Sequence, residues 1–344
     1  MKPLHSLSPL DRVALPDGSD PMALSLNENP FPPLPSVQAA MARAARAANR
    51  YPEFLPVELR AVIADHMGVA HERIVIGAGA TGVIMQALRA LTSPGDRIVL
   101  AYPTFDGYPI FAQIASLICV PVPLADDGHH DLDAMARAAV GARVVVLCRP
   151  HNPTGTLESE AKLRRFLMRI PRDTVVLLDE AYVEFVEPND RIDVEKLIDD
   201  FPNVLAVRTF SKAYGLAGIR TGYGCCAPHV ARALWTTQLP FGSSVTSLAA
   251  VVASYRSQRQ LEQRIRAVVD ERGYLQACLR ALGVSCTESH ANYLYVPNGV
   301  TSAERMYAQA GVRVRGYADG GVRITVGTRQ SSRAVLSALA AGVA

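Results

Sequence analysis

Short apolar runs alternate with mixed, helix-like stretches over the first two thirds of the chain. Arg73-Ile74-Val75-Ile76 is the first run, and a glycine-rich turn separates it from a helical segment over Gly82 to Leu91. Arg97 to Leu100, Leu117 to Val122 and Arg143 to Cys148 repeat the pattern. Thr174 to Leu178 and Val204 to Arg208 follow, each behind a helical segment. Apolar runs without polar alternation are strands buried on both faces, and intervening helices predict parallel pairing. The pattern therefore predicts an α/β domain, a mostly parallel sheet flanked by helices, with functional residues in the loops at the carboxyl ends of the strands.

The flanks read differently. Asn29 to Pro35 is proline-rich and predicts a linker, because proline interrupts both helices and ladders. Ser36 to Arg50 is an Ala/Arg-rich helical stretch that should stop at Tyr51-Pro52. Ser247 to Leu282 reads as one long helix. Short strand candidates follow at 292–296, 312–315 and 322–326, with helices between and after them. These predict a smaller α+β domain. The expected division is a large domain over 34–241, with 242–344 and an N-terminal arm of residues 1–33 forming the small domain.

A chain of 344 residues suits that two-domain division. Hydrophobic residues at 49% and charged residues at 19% argue against disorder. A net charge of +3 without a Lys/Arg-rich run argues against a nucleic-acid partner. No apolar run is long enough for a membrane span. Met1 to Arg12 lack the apolar core of a secretory signal, which predicts a cytoplasmic protein.

Cys119, Cys148, Cys225, Cys226, Cys278 and Cys286 form no C-x-x-C pattern and predict buried free thiols in a reducing compartment. Cys225 and Cys226 are adjacent on a strand, so they point to opposite faces and read as core rather than as a redox pair. His129-His130 lacks a third ligand at sensible spacing, so no metal is expected and the pair reads as solvated loop.

Basic residues are almost all arginine. The lysines are Lys2, Lys162, Lys196 and Lys212, so any chemistry that needs a lysine amine has four candidates. Lys162 and Lys196 sit on charged helical stretches, and only Lys212 is embedded in a motif.

Gly77-Ala78-Gly79-Ala80-Thr81-Gly82 is a G-x-G-x-x-G between a strand and a helix. A dinucleotide site would also need an acid at the end of the next strand. That strand ends Leu100-Ala101-Tyr102-Pro103, and Asp96 lies at its other end. The loop remains either a plain tight turn or a phosphate cradle in which backbone N–H groups and the Thr81 hydroxyl donate to an anion.

Three further motifs fall at predicted carboxyl ends of strands. They are Asn152-Pro153-Thr154-Gly155, Asp179-Glu180-Ala181-Tyr182 and the segment Ser211-Lys212-Ala213-Tyr214-Gly215-Leu216-Ala217-Gly218-Ile219-Arg220. In this order the sequence resembles the fold-type-I pyridoxal-phosphate aminotransferases. Within them it is most similar to the histidinol-phosphate aminotransferases and the aromatic amino acid aminotransferases of actinobacteria. The resemblance runs from Leu26-Asn27-Glu28-Asn29-Pro30 and Tyr51-Pro52-Glu53 to Val322-Arg323-Ile324-Thr325-Val326-Gly327.

The resemblance implies an aspartate aminotransferase-like fold and pyridoxal 5′-phosphate as cofactor. Amino-group transfer through that cofactor needs a lysine amine that condenses with its aldehyde and later moves a proton, which implies Lys212. It implies Asp179 as partner of the pyridine nitrogen, and Asn152 and Tyr182 as donors to the phenolic oxygen. Phe105 falls at the ring-stacking position. Gly79, Ala80, Thr81, Ser211 and Arg220 are the implied phosphate site. Tyr51 is implied to reach the phosphate of a neighbouring subunit, giving a homodimer with shared active sites.

Arg323 is the implied anion clamp for substrate, Arg315 a second anion contact, and Asn27 a further substrate-binding residue. The partners implied are an amino donor and a 2-oxo acid acceptor. Phe105, where many histidinol-phosphate enzymes carry tyrosine, favours an aromatic L-amino acid and 2-oxoglutarate. Histidinol phosphate is the alternative, with Arg323 then facing a phosphate. A decarboxylase or lyase of the same fold is a further one. His151 departs from the family's asparagine. It either tunes substrate choice or pH response, or is a tolerated loop substitution. Arg149 is either another anion contact or a structural ion pair.

Overall fold

The computed structural model describes residues 15–297 and 303–343. Lys2, the leading residues Met1 to Arg12 and the first part of the N-terminal arm lie outside the described residues.

Seven strands form the large sheet: β1 (Ile74–Gly77), β2 (Arg97–Tyr102), β3 (Ile118–Pro123), β4 (Val144–Cys148), β5 (Val175–Asp179), β6 (Val204–Thr209) and β7 (Gly222–Cys226). Their spatial order is β1-β7-β6-β5-β4-β2-β3. Every pair is parallel except those made by β7, which runs antiparallel to both β1 and β6. The central strands β4 and β5 are buried at every position, as the apolar runs 144–148 and 175–178 require, and β5 ends on the buried carboxylate Asp179.

Helices cover both faces. They are α1 (Pro35–Ala45), α2 (Val57–Met67), α3 (Gly79–Leu91), α4 (Gly107–Ile114), α5 (Leu132–Ala138), α6 (Glu160–Leu167), α7 (Val194–Asp200) and α8 (Pro228–Trp235). Three begin at side chains that accept an early helical N–H: Asp131 for α5, Ser159 for α6 and Asp193 for α7.

The sequence expectation of a mostly parallel sheet holds, with β7 as the antiparallel exception. Cys225 and Cys226 are both buried on β7, in line with a core reading. Cys119 departs from the expected burial and is exposed on β3. It faces outward because β3 is an edge strand.

The predicted long helix is two helices, α9 (Val245–Tyr255) and α10 (Gln258–Ala281). Ser257 leaves helical geometry between them, with φ −113° and ψ 28°, and its hydroxyl meets that of Ser36 at 2.8 Å. The break lets α9 pack along α1 in the larger core while α10 runs on to the second core.

That second core surrounds a three-stranded antiparallel sheet, ordered β8 (Tyr293–Val296), β10 (Val322–Thr325) and β9 (Arg315–Gly316). It is completed by α11 (Ala303–Gln309) and α12 (Arg329–Val343). The strand expected over 312–315 is reduced to β9. Residues before it pair instead with the N-terminal arm, through Leu24 N–H to Arg313 O at 2.9 Å and Arg313 N–H to Met22 O at 3.0 Å. Leu24 joins Leu275, Leu279, Leu294 and Ile324 in this core. The change of core does not coincide with the expected boundary at 241–242, because Ala250, Val251, Leu261 and Val268 belong to the larger one. Among the described residues no helix is long and apolar enough to cross a membrane.

β7 passes so close to the glycine-rich loop that a Cβ on Gly222 would sit 2.5 Å from Ala80 N and Gly79 C. Gly222→Ala should therefore destabilise the fold by about 1–3 kcal/mol through overpacking. Urea denaturation measures this, and an unchanged midpoint would show that β7 can move away from the loop.

Candidate active site

Register brings the motifs together. Cys148 at the end of β4 lies opposite Asp179 at the end of β5, and Asp179 lies opposite Val207 on β6. The loops that carry Asn152, Tyr182 and Ser211-Lys212 therefore leave the sheet side by side. β7 pairs Gly222 with Thr209 on one side and with Gly77 on the other. The loop before it thus returns Arg220 to the start of α3. These residues line a cleft of about 430 Å³ that is closed from the second core by Ser25, Leu26, Arg315 and Arg323.

One end of the cleft suits an anion. α3 starts at Gly79, three residues earlier than the sequence predicts, so the glycine-rich loop is itself the first helical turn. Its N-cap residue, Ala78, makes no side-chain capping bond, which leaves the first amides free to donate. Gly79 has φ +76°, and a Cβ there would collide with the Arg220 guanidinium. Arg220 donates from Nη1 to Ser211 Oγ at 3.2 Å and from Nη2 to Ala78 O at 3.2 Å. Thr81 Oγ1 lies 3.5 Å from the same Nη2. Guanidinium, two hydroxyls and uncapped amides form the donor set a phosphate takes.

Asp179 is buried. Its Oδ2 accepts from the Tyr108 hydroxyl at 2.6 Å and its Oδ1 from Ala181 N–H at 3.0 Å. Burial pushes its pKa up, and these two donors partly offset the shift. Tyr108 has no counterpart among the predicted site residues. The signal available was its place three residues after Phe105, in the first turn of α4, where its N–H donates to Phe105 O at 3.0 Å. Their rings meet edge to face at 5.3 Å.

Lys212 donates from Nζ to Leu26 O at 2.8 Å. Its pKa falls to about 7, first through burial and then through the Arg323 and Arg220 cations, against the opposing pull of Glu28 and Asp179. Near neutral pH a substantial share of the amine is therefore unprotonated and nucleophilic.

Arg323 is buried. Its Nη1 donates to Asn152 Oδ1 at 2.5 Å and to the Tyr317 hydroxyl at 3.0 Å, and its Nη2 to Ser25 O at 2.6 Å. Its Nε is buried with no hydrogen-bond partner among the described residues. A buried guanidinium with a spare donor, lining a cleft, calls for an anionic ligand.

Asn27 also lines the cleft, but both polar atoms of its side chain are engaged. Nδ2 donates to the Tyr182 hydroxyl at 3.0 Å and Oδ1 accepts from Thr325 Oγ1 at 3.1 Å. It braces Tyr182, whose hydroxyl is also 3.5 Å from Asn152 Nδ2. Tyr51 lies outside this cleft. It is 82% exposed and rests on Phe241, with ring centroids 4.6 Å apart.

His151 points away from the cleft. It is fully buried, its Nε2 lies 3.1 Å from Pro103 O, and its ring packs on His130 at 4.3 Å. Burial holds its pKa well below the usual value, so it is neutral. His130 is also buried, beside Glu158, which corrects the solvated reading of that pair. The turn closes over it, with His130 N–H donating to Glu158 Oε1 at 3.1 Å. Arg149 is fully buried and donates to two backbone carbonyls, Glu158 O at 2.7 Å and Asp190 O at 2.8 Å. Its part is structural, without the expected carboxylate partner.

The residues fit pyridoxal 5′-phosphate on three counts of this structure. The helix N-terminus is uncapped, the Gly79 position has room for no side chain, and a carboxylate and a depressed amine share one cleft with that cradle.

Residues 19–339 match the family model of class I and II aminotransferases. The aromatic amino acid aminotransferase of Streptomyces coelicolor is 42% identical over 324 residues, covering 93% of this chain and 90% of that protein. The aromatic amino acid aminotransferase of Cutibacterium acnes is 37% identical and covers 97% of this chain and 96% of its own length. Among solved structures, histidinol-phosphate aminotransferase from Sinorhizobium meliloti in complex with pyridoxal-5′-phosphate superposes with a TM-score of 0.86. It is 27% identical, with 98% of this chain and 97% of that one covered.

The Lys212 environment predicts a pH profile. Above about pH 7 the amine is neutral, so labelling of Lys212 by an acylating reagent, read by peptide mass spectrometry, should rise with an apparent pKa of about 7. Arg323→Gln removes a cation and should move that midpoint upward. A wild-type midpoint at the ordinary lysine value would sink this account of the amine.

Proposed function

The chain belongs to the class I and II aminotransferases, and we propose that it moves the amino group of an aromatic L-amino acid to 2-oxoglutarate. The observation that carries the reading is the cleft that holds both a lysine amine of pKa about 7 and a buried guanidinium with a spare donor. Relatives named aromatic amino acid aminotransferase at 42% identity support the aromatic side chain. So do the apolar walls offered by Leu26, Phe105 and Ala217.

Pyridoxal 5′-phosphate, when bound, supplies the aldehyde that takes the amino group and the electron sink that acidifies the substrate Cα–H. In the proposed mechanism Ser211, Thr81, Arg220 and the first amides of α3 hold its phosphate. Asp179 holds its ring nitrogen protonated, and Asn152 and Tyr182 face its phenolic oxygen. Arg323 grips the substrate carboxylate, and a planar guanidinium does so through two parallel hydrogen bonds. Lys212 Nζ takes the proton from Cα of the donor and, in the second half-reaction, delivers one to Cα of the acceptor, a task suited to a base whose pKa lies near the working pH. The donor leaves as a 2-oxo acid before the acceptor enters, so both use one clamp in turn.

Homodimer formation belongs to the same proposal. Tyr51, Phe54, Leu239 and Phe241 are exposed together, and Phe241 N–H donates to Phe54 O at 2.8 Å. A clustered apolar patch of this kind marks an interface, and across it Tyr51 would reach the partner's phosphate cradle.

Two measurements test these readings. A single half-reaction, followed by the absorbance of the bound cofactor, should run much faster with L-phenylalanine than with histidinol phosphate and should vanish in Lys212→Ala. Faster turnover of histidinol phosphate would overturn the aromatic assignment and make Arg323 a phosphate ligand. Sedimentation equilibrium should give a dimer for the wild type and a monomer for Phe241→Asp. A monomeric, fully active wild type would remove Tyr51 from the site.

A further inference from the structure

The substrate clamp contains one charged residue that no motif accounts for. Arg315 and Arg323 stand directly opposite each other on β9 and β10, so both side chains leave the same face of the small sheet. Tyr317 lies between them, with its ring centre 5.8 Å from the Arg315 guanidinium and 5.9 Å from that of Arg323. Two facing cations repel unless something neutralises them. Asp106 does so from the opposite wall of the cleft, with Oδ2 2.7 Å from Arg315 Nη2. Asp106 occupies the N-cap position of α4 yet makes no capping bond to its own helix. Its visible side-chain partner is Arg315, and both residues line the same cleft as Lys212 and Arg323.

We infer that Asp106 is a specificity-determining residue that sets the clamp to accept a carboxylate and reject a phosphate. The inference rests on the aminotransferase reading above. Two guanidiniums and one carboxylate leave a single net positive charge, which matches a monoanion. Two free guanidiniums would match a dianion. The pair is only half-buried, with side chains 45% and 52% exposed, so it is loosely held. That looseness does not alter the outcome. If Arg315 swings over to a substrate anion, Asp106 is left unpaired beside that anion. Its repulsion of a dianion is then twice its repulsion of a monoanion at the same distance. Asp106 also follows Phe105 directly, so the residue proposed to stack on the cofactor and the residue proposed to set the charge share one turn.

The test uses the cofactor-loaded full chain and two unreactive ligands of matched shape, 3-phenylpropanoate and 2-phenylethylphosphonate. Titration calorimetry is run at a pH that makes the phosphonate a dianion. Wild type should prefer the carboxylate. Asp106→Asn should raise phosphonate affinity about tenfold and carboxylate affinity by no more than about threefold, as the doubled charge requires. Asp106→Glu should keep the wild-type preference, and Arg315→Gln added to Asp106→Asn should cancel the gain. In turnover, Asp106→Asn should raise kcat/KM for histidinol phosphate relative to L-phenylalanine. Equal gains for both ligands, or none, would overturn the role of Asp106 while leaving the aminotransferase reading intact. If the wild type binds neither ligand, the clamp itself fails, and the inference falls with it.

Discussion

A lysine amine that is neutral near pH 7 needs burial and cationic neighbours together, and this requirement organises the molecule. Burial alone would lower the Lys212 pKa, but it would also raise that of Asp179, which shares the cleft. The two groups are kept apart in character by their partners. Asp179 receives the Tyr108 hydroxyl and an amide, whereas Lys212 faces Arg323 and Arg220. Tyr108 comes from α4, the amide from Ala181 after β5, Arg220 from the loop before β7 and Arg323 from β10, so the two groups are set only when these elements are all in place.

The sheet separates this chemistry from a second set of charges. Asp179 and Glu180 are adjacent at the end of β5, so their side chains leave opposite faces. Asp179 turns to the cleft. Glu180 turns away and pairs with Arg208 at 2.8–2.9 Å. Glu184 lies nearby, buried enough that its pKa rises to about 7, although Arg208 opposes the shift. The buried Arg149, which donates to backbone carbonyls, and the neutral His151 with its neighbour His130 are likewise set off from the cleft. Polar groups buried in this way need partners more than they need substrate.

The N-terminal arm ties the two cores into one site. Leu24 packs in the smaller core, Ser25 O accepts from Arg323, and Leu26 O accepts from Lys212. Three consecutive residues thus engage the smaller core, the Arg323 guanidinium and the Lys212 amine. Asn27 continues the tie by holding Tyr182 against Thr325. A substrate anion bound by Arg323 would act on the same backbone that supports Lys212.

Local pattern is enough to specify the parallel α/β body, because unbroken apolar runs such as Val144–Cys148 and residues 175–178 have nowhere to go but a doubly covered sheet. It also determined the candidate chemistry, since lysine is scarce and Lys212 is the one set in a motif at a strand's carboxyl end. Local signals of this kind depend on neighbours along the chain. What depended on neighbours in space required the packed molecule. The antiparallel entry of β7, the break at Ser257 and the shortening of β9 follow from competition among distant segments for one surface. Tyr108 and Asp106 carry no motif, and their partners lie 71 and 209 residues away. Burial of His130 and exposure of Tyr51 likewise belong to the packed molecule. Sequence spacing records a side chain's identity and its turn of chain, but not the field in which it is placed.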